Sequence, residues 1–139
     1  MNNKVSFEIR DLILNAIVKS QRGHIGSAFS IVEILYTLYF KHLNLKNSNL
    51  DRPNRDRFIL SKGHACLAYY ASLSELGYIS DEELKTFEKN DTNLPGHPVI
   101  NKKLGIEFST GSLGIGLSLG IGVALSAIKK KSIYNVFVV

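Results

Sequence analysis

Three histidines in this chain are each preceded by glycine: Gly23-His24, Gly63-His64 and Gly96-His97. Each pair falls in a break between apolar, periodic stretches. Glycine allows a tight turn and lets a ligand come close to the backbone. Imidazole donates hydrogen bonds to phosphate or moves protons near neutral pH. A single Gly-His pair reads as a turn with a solvated ring, whereas three alike point to a shared site. Their spacing leaves convergence open. The fourth histidine, His42, sits at the polar end of an apolar helix segment and reads as structural.

A second candidate lies at residues 112–116, SLGIG, where a helix opens with small residues and unhindered backbone amides. Such a start can cradle an anion or an aromatic ring. It is not a dinucleotide fingerprint, because Gly114-x-Gly116 is followed by Leu-Ser-Leu before Gly120. Metal binding by the three histidines is disfavoured, since no short ligand pair occurs and Cys66 stands alone. Cys66 lies between alanine and leucine in a helix, so it reads as a small buried thiol rather than a nucleophile.

These residues need elements to position them. Val5, Ile9, Leu12, Ile13 and Ile17 form one helical stripe across residues 5–20. A glycine-containing break, QRGHIGSAF, follows it. Ser30 and Glu33 then have capping-box spacing at the head of an apolar helix running to about His42. Residues 44–56 are polar, include Pro53 and read as a loop. Residues 57–60, RFIL, are a short buried strand, after which SKGH leads into a helix ending at Gly77. Ser80 and Glu83 repeat the capping-box spacing for a short helix. Residues 90–109, with Pro95 and Pro98, form a long surface loop of the kind that carries function. The glycine-rich helix comes next, and IYNVFVV closes the chain as a second buried strand. Strand, helix, loop, helix, strand is the order of an α/β protein with parallel strands and right-handed crossovers.

The uncharged run from Leu113 to Ile128 has sixteen residues and ends in three lysines. That is short of the roughly 18 to 20 residues needed to cross a bilayer. A buried helix packed closely on a sheet through its small residues explains the same letters better than a membrane span. With 45% hydrophobic and 21% charged residues, the 139-residue chain has the composition of one globular domain or a piece of one. A single cysteine excludes an internal disulfide framework and fits a reducing cytoplasm. No secretion signal opens the chain. The net charge of +5 sits in clusters at element ends without interleaved aromatics, which is the pattern of solvated basic surface rather than a nucleic-acid face. It also favours an anionic ligand or an acidic partner.

Four segments in this order, GHIGSAFSIVEILYTLYF, DRFILSKGHACLAYYA, LPGHP and STGSLGIGLSLGIGVAL, resemble the amino-terminal part of transketolase, above all the amino-terminal subunit of split transketolases. The resemblance runs from about residue 8 to residue 139, and the series is more specific than any one motif. It implies an α/β fold, a partial thiamine diphosphate-binding fold with a parallel sheet flanked by helices. It implies transfer of two-carbon ketol units between sugar phosphates in the pentose phosphate pathway, with thiamine diphosphate and a divalent cation, usually Mg2+. The cofactor carries the chemistry and the protein orients, desolvates and moves protons. Position by position, His24 would be catalytic, reaching the reacting substrate and assisting proton transfer. His64 would stand beside the diphosphate, and His97 at the substrate hydroxyls. Gly111, Ser112 and Leu113 would lay their backbone against the cofactor.

The resemblance departs at Ile25, where proline is usual, at Arg22, where serine is common, and at Ile115, where glutamine is common. The last two bear on substrate preference. In the family, the strand matching YNVFVV runs into a Gly-Asp-Gly motif whose aspartate, with a later asparagine, holds the metal. The glutamate that activates the aminopyrimidine belongs to the other half. Residues 1–139 therefore read as a single incomplete domain that assigns no metal ligand of its own and is inactive alone. The implied partners are a carboxy-terminal transketolase half and further copies in a homo-oligomer, with no nucleic acid and no membrane. Two other readings stay open: a non-catalytic partner or regulatory module with a degenerate fold, and a related thiamine-dependent enzyme such as deoxyxylulose-phosphate synthase.

Overall fold

A computed structural model describes residues 3–45 and 52–139. The middle of the segment expected as a polar loop, residues 46–51, lies outside the described residues. Helix α1 spans Asn3–Ser20, α2 Ile25–Phe29 and α3 Val32–Thr37, the last continuing as a π-helical turn over Leu38–His42. Strand β1 spans Arg57–Ile59, a 3-10 turn Gly63–Ala65, α4 Cys66–Glu75 and α5 Asp81–Leu84. A second 3-10 turn covers Lys102–Leu104, and α6 (Ile115–Lys129) leads into β2 (Val136–Val138).

The α1 stripe does what its spacing requires. Ile9 and Ile13 are fully buried against α3 and α4, with Val5, Leu12 and Ile17 packed at the margin. Burying each isoleucine contributes roughly 1.5–3 kcal/mol. α4 is buried almost all round, from Cys66 to Leu73, so it forms the centre of the core. Gly77, with φ of 77°, ends it in the left-handed conformation that glycine adopts most easily.

The strands pair in parallel, with Phe58 opposite Phe137 and Ile59 opposite Val138. Side chains alternate between faces. Phe58 turns into the core beside Tyr39 and Tyr69, at ring separations of 5.1 and 5.0 Å. Ile59, Val136 and Val138 face α6, where Gly120 lets the helix come so close that a Cβ there would lie 2.5 Å from Val138 Cγ2. The helix is thus a close-packed layer on the sheet.

Five local readings change. The break after α1 contains a helical turn, α2. The first capping box does not form, because both of its side chains have tertiary partners. Ser30 Oγ accepts from Lys62 Nζ at 2.7 Å, and Glu33 Oε1 accepts from Arg10 Nη2 at 2.6 Å. The second box is half made: Ser80 Oγ accepts the Glu83 amide, while the Glu83 carboxylate turns to Asn93. The 90–109 loop is not wholly superficial, since Leu94 and Ile106 are fully buried anchors. α6 also departs from the expected buried helix. Gly116, Gly120 and Ala127 are covered, but Leu117 and Leu125 are 58% and 61% exposed. Among the described residues, no helix is long and apolar enough to cross a membrane.

Candidate functional site

The three Gly-His pairs converge. The His24 ring lies 5.6 Å from that of His64 and 6.2 Å from that of His97, edge-on to both. His24 stands at the N-cap position of α2, where its carbonyl accepts the Ala28 amide at 2.9 Å and its side chain is left to face outward. His64 rides the 3-10 turn that follows β1, at the carboxyl end of a parallel strand, where open α/β sheets place their ligands. His97 comes from the long loop.

Gly111 joins them. A Cβ on Gly63 would lie 2.7 Å from Gly111 Cα and 2.9 Å from Thr110 O, so the turn bearing His64 and the segment of residues 110–111 touch backbone to backbone. Only glycine fits there. A Cβ on Gly111 would lie 3.8 Å from His97 Cδ2, which puts Gly111 at the edge of the imidazole cluster. Ser112 and Leu113 follow on the surface, Leu113 72% exposed, and Gly114 opens α6 with φ of 87°.

The helix start is less open than its letters suggest. The Gly116 amide donates to Ser61 Oγ at 3.1 Å, the Leu117 amide to Gly114 O at 3.0 Å, and the Ile115 amide to Ser112 O at 3.4 Å. Those three amides are taken, so the anion-attracting part of the site is the imidazole cluster. Burial lowers the His64 pKa below 6.5, and the fields of His24, Lys62 and His97 lower it further. His64 is therefore held neutral near pH 7, able to donate from one nitrogen and accept at the other. An incoming anion would reverse that balance and favour the charged ring.

Several supporting side chains carried no signal of their own in the sequence. Lys62 Nζ ties the His64 turn to α2 through Ser30 Oγ and, at 3.4 Å, Ser27 O. Thr110 Oγ1 donates to Leu60 O at 2.5 Å, and its amide to Pro98 O at 3.1 Å. Their one available clue is position, since each is a polar residue next to a glycine of the site. Cys66 is buried as expected, and burial pushes its thiol up to about 12, which removes it as a nucleophile. No group of three or more His, Cys, Asp or Glu side chains among the described residues is placed to hold a metal. The donor set that is present, three imidazoles backed by Lys62 and close-packed glycine backbone, suits an anionic group such as a diphosphate.

Residues 1–137 match the family described as transketolase, thiamine diphosphate binding domain. Over 116 residues the chain is 46% identical to one of the subunits of an apulose-4-phosphate transketolase from Actinobacillus succinogenes, covering 84% of this chain and 42% of that protein. It is 43% identical to a 6-deoxy-6-sulfo-D-fructose transketolase subunit from a Clostridium species, over 85% of this chain and 43% of that one. The crystal structure of Pichia stipitis transketolase in complex with sedoheptulose 7-phosphate superposes with a TM-score of 0.85 at 31% identity, over 98% of this chain and 21% of that one. The chain thus spans less than half the length of these relatives.

Proposed function

The chain belongs to the family of transketolase thiamine diphosphate binding domains, and on that premise we propose that it supplies the diphosphate side of the cofactor site in a transketolase acting on sugar phosphates. His64 faces the diphosphate. His24 reaches the reacting substrate and moves its proton, and His97 meets the substrate hydroxyls. The backbone of Gly111, Ser112 and Leu113 lies along the cofactor. Bound there, thiamine diphosphate supplies a carbon nucleophile and holds the electron pair released when the ketose carbon–carbon bond breaks.

The chain's own residues bind, orient and exchange protons. A neutral His64 accepts or donates one hydrogen bond, and an approaching phosphate raises its proton affinity. His24, exposed and 5.6 Å from His64, can take a proton from a substrate hydroxyl and return it. The divalent cation, Mg2+ in this reading, takes its ligands from residues other than these 139. A carboxy-terminal transketolase half completes the site, in an assembly with further copies and in the cytoplasm. The names of two relatives as transketolase subunits support a partner chain of that kind. Residues 1–139 act in this reading as one domain that is incomplete by itself.

The observation that carries the reading is the meeting of His24, His64 and His97 at the edge of Gly111. The test is calorimetric titration of thiamine diphosphate with Mg2+ into the chain, alone and mixed with a carboxy-terminal transketolase half. Binding by the mixture that exceeds binding by the chain alone, and that His64→Ala weakens, is expected. A mixture that forms a complex yet takes up no thiamine diphosphate would sink the proposal.

A further inference from the structure

His97 stands on a loop, yet the carbonyls flanking it are tied down from two sides. The Cys66 thiol lies 3.0 Å from Gly96 O and 3.7 Å from Pro95 O. The Tyr70 hydroxyl donates to Pro95 O at 2.9 Å. Cys66 and Tyr70 are four residues apart on α4 and so share one helical face. On the other side of His97, Pro98 O accepts the Thr110 amide. Glu88 closes the remaining space, since a Cβ on Gly96 would run into its carboxylate.

We propose that Cys66 and Tyr70 are positioning residues for His97, their two donors fixing the Gly96 and Pro95 carbonyls so that the third imidazole points at His24 and Gly111. The proposal rests on the reading of the imidazole cluster as the binding site, and it gives the one cysteine of the chain a task that is neither redox nor nucleophilic. Burial keeps both groups protonated: it pushes the Cys66 thiol up to about 12 and drives the Tyr70 hydroxyl upward as well. Both therefore remain donors across the pH range in which imidazoles titrate. A donor removed here would leave a partly buried carbonyl unsatisfied and free a glycine-containing turn to rotate. The sequence signal is thin: an i, i+4 pair of hydrogen-bond donors on a buried helix that carries other hydroxyls as well.

The test uses the 139-residue chain with isotopically labelled histidines and reads the ring–proton cross-peaks of His97 with Gly111 and with His24 by NMR. In the double variant Cys66→Ala/Tyr70→Phe these cross-peaks are lost, while Cys66→Ser alone, which keeps a donor, retains them. Ser72→Ala removes a buried hydroxyl of the same helix that donates to Ala68 O, within the helix itself, so it leaves them unchanged. A double variant that unfolds cooperatively and still shows wild-type cross-peaks overturns the proposal, as does their equal loss in Ser72→Ala. If the double variant does not fold, Tyr70→Phe alone decides: a weakened His97–Gly111 cross-peak supports the role and an unchanged one overturns it. Thiamine diphosphate with Mg2+ titrated into the wild-type chain together with a carboxy-terminal half tests the underlying reading separately. Silent His24 and His64 resonances there would remove the cofactor assignment and leave the positioning result standing.

Discussion

Glu107 grips Arg55 through both carboxylate oxygens, at 2.6 and 2.9 Å, across 52 positions of chain. Arg57 shares the same carboxylate at 3.6 Å, and the Phe58 amide points at it from β1. The end of the long loop is thereby fastened to the strand that leads to His64, three residues before Thr110 and Gly111 take their places beside the imidazoles.

The Arg55 and Glu107 side chains are only 9% and 11% exposed, so removing the carboxylate strands positive charge in a poorly solvated place. Glu107→Ala should lower unfolding stability by about 3 kcal/mol, since breaking one side of a buried pair costs more than the pair contributes. Chemical denaturation followed by circular dichroism measures it. A loss of less than about 1 kcal/mol would put the pair in the class of exposed bridges.

The His64 pKa is lowered in the folded chain, first by burial and then by His24, Lys62 and His97. The unfolded chain, with its histidine near the ordinary 6.5, then binds the proton more readily. Stability from this group is complete above about 6.5 and declines as pH falls from there through the lowered folded value. In His24→Ala the NMR-titrated midpoint of His64 should move up, yet stay below 6.5, because burial remains the largest cause. A midpoint unmoved by the substitution would mean that the two rings do not sense each other.

What the letters disclosed and what they withheld divide along one physical line. A period-3.6 stripe located α1, short apolar runs located β1 and β2, and the turn glycines at either end located α4, because burial selects apolar residues whatever the partner is. Pairings between distant residues were silent. Ser30 and Glu33 have perfect spacing for a local cap, but Lys62 and Arg10 outcompete it. Ser61 fills the Gly116 amide from 55 positions away, so the helix start looked open when it is closed. The histidines stood out through their glycines, which mark turns, whereas the Cys66 and Tyr70 donors that brace His97 lie in a helix and look like core.

The exposed side of α6 carries Leu117, Ile121 and Leu125 at successive i, i+4 positions, each more than half exposed. Contiguous apolar surface of this sort drives association. The 139-residue chain by itself should sediment as a concentration-dependent mixture and bind a hydrophobic dye. Leu117→Lys with Leu125→Lys should suppress both effects without lowering helicity. Unchanged sedimentation in that variant would mean that association runs through another face.

Two glycines of α6 give opposite forecasts. At Gly116 an added Cβ would sit 2.6 Å from Ser61 Cα, which belongs to backbone already bonded to Val139 O, and backbone cannot swing aside as a side-chain tip can. Gly116→Ala should therefore cost about 1–3 kcal/mol by forcing helix and strand apart, and should disturb the turn that carries His64. At Gly122 nothing lies within 4 Å of the added methyl, so the gain in helix propensity is unopposed. Gly122→Ala should raise stability by up to about 1 kcal/mol. Thermal unfolding of both variants checks the pair. The close approach of α6 to the end of β1 would be wrong if Gly116→Ala proved as harmless as Gly122→Ala, and with it the seating of Gly111 against Gly63 would need another cause.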